Sequence, residues 1–120
     1  MSCVLRVSGP GVTAALSRIS LQPYRVEQGS AHFDVSKAGF REFKAQVADA
    51  VAFLRAHAPD LRVLMTQPGV DGVLDFGIEW RDVAAQFDTF PVELVCEAGN
   101  LGLALALADY PLAEDRGAEA

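Results

Sequence analysis

Residues 36–57 read SKAGFREFKAQVADAVAFLRAH, and within them Phe40, Phe43, Val47, Ala50, Val51 and Leu54 recur at steps of three and four, with Arg41, Lys44, Asp49 and Arg55 between them. Apolar residues at that spacing form one stripe on a helix, so the segment predicts an amphipathic helix of about four or five turns with one face on a core. Further on, residues 73–80 read VLDFGIEW, in which Leu74, Phe76, Ile78 and Trp80 alternate with Asp75, Gly77 and Glu79. A period of two is that of a strand with one face inward and one face in water. A helix with a single apolar stripe beside a strand with a single apolar face implies helices layered on one side of a sheet.

Working outward toward the N-terminus, Cys3-Val4-Leu5-Arg6-Val7-Ser8 alternates as a half-buried strand, and Gly9-Pro10-Gly11 ends it. Val12, Ala15, Leu16 and Ile19 then fall at helical spacing, with Pro23 as the stop. The runs 24–27 and 31–35 flank Gln28-Gly29-Ser30 as a hairpin whose inward residues are Phe33 and Val35. Toward the C-terminus, Asp60 caps a short helical segment over Leu61, Leu64 and Met65, which Pro68-Gly69 ends. Residues 83–87 pair back on the 73–80 strand as a hairpin, Pro91 starts a helix closed by Gly99-Asn100, and 101–108 forms a last strand. The expected order is β-α-β-β-α-β-β-α-β, an α+β two-layer sandwich with a mainly antiparallel sheet and helices on one face. It forms a single domain over 1–112, followed by a flexible tail over 113–120.

The composition agrees with one folded domain. A chain of 120 residues with 51% hydrophobic and 22% charged side chains can bury about two thirds of its unfolded surface. A net charge of −6 with scattered basic residues argues against nucleic acid, whose binding depends on clustered Lys and Arg. No run reaches the ~18 apolar residues of a membrane span, and the start MSCVLRVSG lacks the layout of a secretion signal, so the expected location is cytoplasmic. Cys3 and Cys96 have no metal-ligand or redox spacing and are expected to be reduced and buried.

Candidate functional residues fall in three groups. His32, Asp34, His57 and Asp60 could hold a metal only if the hairpin met the helix end; a solvated hairpin histidine and a helix-terminal histidine explain them without one, and neither a metal nor a cofactor is expected. Asp75 and Glu79 share the outer face of the expected hairpin and, with Asp82, crowd carboxylates beside the aromatic and the cation of Trp80 and Arg81. Together with Asp71 and Asp88 they give it a negative potential that would steer in a basic protein partner. Asp75 and Glu79 are expected to face solvent, so that replacing them by Lys leaves folding nearly intact. Finally Ala84, Gly102, Ala104 and Ala106, with Gly77 and Ala108, give the sheet a back face without bulk that could accept something flat, such as a second copy in a homodimer. The functional readings are a non-catalytic binding protein, a structural homodimer, or a small metal-dependent hydrolase using the outer-face carboxylates.

Several stretches resemble domain-of-unknown-function family 4279, a group of small, mostly bacterial α+β domains. They are the opening Leu5-Arg6-Val7-Ser8-Gly9, the helix exit Ile19-Ser20-Leu21-Gln22-Pro23, Gly29, the long helix, and Leu101-Gly102-Leu103 with Tyr110-Pro111. Members usually carry a Trp at the start of the strand after that Gly, where this chain has Phe33 after a shortened loop. The resemblance covers nearly the whole chain and implies the α+β fold and a bacterial setting. Related domains lie near toxin systems and are regarded as immunity proteins, so the resemblance implies an immunity-type binding function and assigns no catalytic residue.

Overall fold

The computed structural model describes residues 1–81 and 83–111, and the expected tail over 113–120 lies outside them. The elements are β1 (Cys3–Ser8), α1 (Val12–Leu16), β2 (Arg25–Glu27), β3 (Ser30–Ser36), α2 (Phe43–Ala56), α3 (Ala58–Met65), β4 (Asp71–Glu79), α4 (Val92–Asn100) and β5 (Leu103–Tyr110). The strands form one five-stranded sheet in the order β2-β3-β1-β4-β5. β1 lies antiparallel to both β3 and β4, β2 is antiparallel to β3, and β5 is parallel to β4. The fold is α+β with a mostly antiparallel sheet, as its patterning implies.

Register explains which face is buried. Leu5 stands beside Phe33 on one side and Leu74 on the other, and Leu74 stands beside Leu105, so one row of apolar side chains crosses four strands on the helix-facing side. Val12 and Ala15 of α1, Ala50 and Leu54 of α2, Leu61 and Leu64 of α3, and Leu94 and Ala98 of α4 close over that row, all at 1% exposure or less. No described helix is long and apolar enough to cross a membrane.

Four elements differ from their sequence expectation. The long helix starts at Phe43 and not at Ser36, because the Glu42 carboxylate turns back to accept the Gly39 N–H and fixes a turn ahead of the helix. Phe40, expected in the helical stripe, lies outside the helix altogether. The hairpin strand expected over 83–87 does not form, because β4 already has β1 on one side and β5 on the other and offers it no free edge. α4 runs through Asn100, and Gly102, at φ 72°, takes the left-handed turn after it, so the last strand begins at Leu103. Asp60 does not cap α3; its Oδ2 accepts the Ser20 and Leu21 N–H groups at 3.0 and 2.9 Å and ties the α1 exit to the start of α3.

Leu54, near the C-terminal end of the α2 stripe, is fully buried. Leu54→Ala is expected to lower stability by about 2 to 5 kcal/mol in urea denaturation, with the slope of the transition unchanged.

Candidate functional site

The end of the sheet where β4 leaves it is built from segments distant in sequence. β1 begins at Cys3, and beyond the bond from the Gly77 N–H to the Ser2 carbonyl, at 2.7 Å, it can pair with β4 no further. The segment ahead of α2 takes its place: the Phe40 carbonyl accepts the Glu79 N–H at 3.0 Å. Gln46, fully buried on α2, locks that segment down by donating from Nε2 to the Gly39 and Gly77 carbonyls at 3.1 and 2.8 Å. Arg41 then reaches Glu79 through two bonds, Nε to Oε2 at 2.5 Å and Nη2 to Oε1 at 3.1 Å.

The loop after β4 is fixed at two points. Gln86 accepts the Arg81 N–H at Oε1 (2.9 Å) and donates from Nε2 to the Glu79 carbonyl (3.2 Å) and Asp88 Oδ2 (3.1 Å). Phe90 packs against Phe76 and Phe43, with ring centroids 5.2 and 5.7 Å away. Between these anchors stands Phe87, 85% exposed. A cleft of about 800 Å³ opens between this loop and the first turns of α2, lined by Arg41, Phe43, Lys44 and Val47 on one side and Phe87, Asp88, Thr89 and Pro91 on the other. A smaller hollow of about 380 Å³ continues along α2 past Ala48, Val51 and Arg55.

The carboxylates singled out from sequence are not a free negative patch. Asp75 bonds Arg6 at 2.7 Å, Glu79 bonds Arg41, and Asp88 lies 3.8 Å from Arg81. The Glu79 side chain is only 7% exposed, which corrects its expected place in solvent. Trp80 is half-buried and its N–H donates to the Tyr110 carbonyl at 2.7 Å; Arg81 is exposed, and Asp82 lies outside the described residues. His32 and Asp34 lie on the outer face of the sheet, where Asp34 pairs with Lys37 at 3.2 Å. His57 is on the helix side against Phe53, ring centroids 4.8 Å apart, so the sheet separates the two halves of the imagined metal set. Among the described residues no cluster of three or more His, Cys, Asp or Glu side chains could hold a metal ion.

The small-residue back face also has a different composition. Ala84 sits exposed in the loop after β4, and Gly102 in the turn before β5; neither is on the sheet. Ala104 and Ala106 do lie on the outer face, beside Val73 and Asp75. Next along, the space above Gly77 is filled by the chain itself: Phe40 and Tyr110 pack there with ring centroids 5.3 Å apart, and a Cβ on Gly77 would stand 3.0 Å from each ring. What sequence reasoning missed is Gln46 and Gln86, the two amides that hold this end together. The available signal for Gln46 was a polar residue at the step of three between Phe43 and Asp49, next to Val47 in the apolar stripe.

The two cysteines differ. Cys3 is buried, and burial, followed by the carboxylates of Asp75, Asp34 and Asp49, holds its thiol well above the ordinary value of 9.0. Cys96 is exposed on α4, contrary to its expected burial. A scan of protein-family models and searches of curated proteins and of solved structures each gave no match for this chain.

Two outcomes follow from this geometry. Asp75→Lys, at a pair whose arginine is 43% exposed, should change stability by about 1 kcal/mol or less, whereas Glu79→Lys should cost about 2 to 4 kcal/mol because it places a cation in a near-buried site facing Arg41. Urea denaturation of the two variants would separate them. In the native protein a maleimide should label Cys96 and leave Cys3 unreacted until unfolding. Because the folded Cys3 pKa is raised, its linkage contribution is intact below pH 9.0 and declines as pH rises above that, the unfolded chain releasing the proton first. Equal labelling of both thiols in native protein would contradict this.

Proposed function

We propose that this chain is a non-catalytic protein-binding domain that takes an apolar anchor of its partner into the cleft between α2 and the loop from Arg81 to Pro91. The observation that carries this reading is Phe87: a large aromatic side chain, 85% exposed, on a loop tied down on both sides of it. Such a side chain contributes almost nothing to the fold, yet it is held ready to contact another surface, so little ordering entropy is lost when it does.

The charges around the cleft favour a partner whose anchor is flanked by a carboxylate. Asp88 is engaged by Arg81 and Gln86, and Glu42 by the Gly39 N–H, while Lys44 on the cleft wall has no ion pair among the described residues. This differs from the basic partner that the crowd of aspartates and glutamates suggests in sequence, since each arginine beside them removes part of the attraction. Neutralising a toxin in the bacterial cytoplasm, which the resemblance to family 4279 implies, is one form of such binding.

Co-purification from the native host with the wild type and with Phe87→Ser tests the reading. Phe87→Ser should leave the melting temperature unchanged, because exposed substitutions alter stability by about 0.5 kcal/mol or less. It should weaken retention of a stoichiometric partner by roughly tenfold or more, the loss of an aromatic hot spot. Retention of the same partner at the same strength by both proteins would exclude the cleft as the contact surface.

A further inference from the structure

We propose that two copies of this chain associate through β5: the two strands pair antiparallel about a two-fold axis, merging two five-stranded sheets into one, and α4 packs against α4 of the second copy above the seam. Among the described residues β5 is the last strand in the sheet order and pairs with β4 on one side only. The bond from the Trp80 N–H to the Tyr110 carbonyl fixes which groups are free. Successive residues of a strand turn their N–H and C=O groups to opposite edges, so Ala104, Ala106 and Ala108 turn theirs toward β4, as Tyr110 does. Leu103, Leu105, Leu107 and Asp109 turn theirs outward.

Free edges are ordinarily guarded by a charge, a proline or a bulge. Here Leu103 to Ala108 carries no charged side chain and no proline, its register with β4 is unbroken, and Leu107 is 38% exposed.

α4 gives the second, independent observation. Its Glu93 and Glu97 reach Arg55 of α2, and its Leu94 and Ala98 face the core. Helix geometry therefore turns Val92, Val95 and Gly99, all exposed and spaced at three and four residues, to the side away from α2, above the β5 edge. Paired strands lie about 4.8 Å apart and packed helices about 8 to 10 Å apart, so two α4 helices meet across the seam with each axis set back a few ångströms from its own β5 toward β4. A Cβ on Gly99 would meet nothing within 4 Å, which leaves room for the approach.

The occupant is a second copy, because an antiparallel strand pair about a two-fold is self-complementary: every outward donor meets the equivalent acceptor of its mate. Each chain carries a net charge of −6, yet neither the strand core nor the Val92, Val95, Gly99 stripe contributes a charge. Pairing there buries no like charges, and salt should strengthen it by screening the remaining repulsion.

Sedimentation of the full chain over a range of concentrations is expected to show the 12.8 kDa monomer passing to a species of twice that mass, at lower concentration when salt is raised. Amide exchange provides a second readout: the Leu105 and Leu107 N–H groups should slow by roughly tenfold or more as concentration rises, while that of Ala106, already bonded to β4, changes little. Leu107→Lys and, on the helix, Val95→Glu should each give a monomer with an unchanged circular dichroism spectrum; the helix variant keeps the test valid if the strand variant folds poorly. A monomer at all concentrations would overturn the proposal. So would protection of Leu105 and Leu107 that does not depend on concentration, since the edge would then be covered from within the same chain.

Discussion

The architecture depends on how β4 satisfies its backbone beyond the point where β1 stops. A central strand cannot leave N–H groups buried and unpaired, each costing about 1 to 3 kcal/mol. Where Ser2 gives out, the Phe40 carbonyl continues the ladder, and Gln46 anchors the borrowed segment from the helix above. Everything specific to this end of the molecule follows from that substitution: the late start of α2, the position of Arg41 against Glu79, and the escape of Phe40 to the opposite face of the sheet.

Escape of Phe40 in turn explains a glycine in mid-strand. A glycine within a strand is ordinarily a weakness, lacking a side chain to pack. At position 77 it makes a shallow seat in which the Phe40 and Tyr110 rings meet, joining the segment before α2 to the far end of β5. The outer face of the sheet is thereby divided into a part closed by the chain's own aromatics and a part occupied by polar side chains such as Arg6, Asp75, His32 and Asp34.

Much of the fold was legible because hydrophobic periodicity reports directly on burial. The alternation in 3–8 and 73–80 and the stripe from Phe43 to Leu54 mark the elements that carry the core. What periodicity cannot report is pairing. Val83-Ala84-Ala85-Gln86-Phe87 has a composition compatible with a strand, but whether it becomes one is decided by whether β4 has an edge to spare, a fact fixed by β1 and β5. The candidate site was legible only in part for the same reason. Asp75, Glu79 and Asp88 read as a run of like charges, and the arginines that engage them are 69, 38 and 7 residues away in sequence. Phe87 and the cleft beside it gave no signal, because exposure is set by Gln86 and Phe90 holding the loop and not by the residue type.

The sheet order also dictates when each strand can find its place during synthesis. β1 is the middle strand, but its partner β4 begins some 70 residues later, at Asp71. At translation rates of about 5 to 20 residues per second, one whole edge of β1 waits roughly 4 to 14 seconds before its neighbour is made. During that interval β3 and β2 are the only strands that can pair with it, and its β4-side edge stays open. β5, the strand richest in leucine and free of charge through Ala108, is the last to be made and meets β4 already available. Moving that run to the front of the chain, as a circular permutation would, leaves it unpaired for the whole of synthesis; the native order confines the most adhesive segment to the shortest wait.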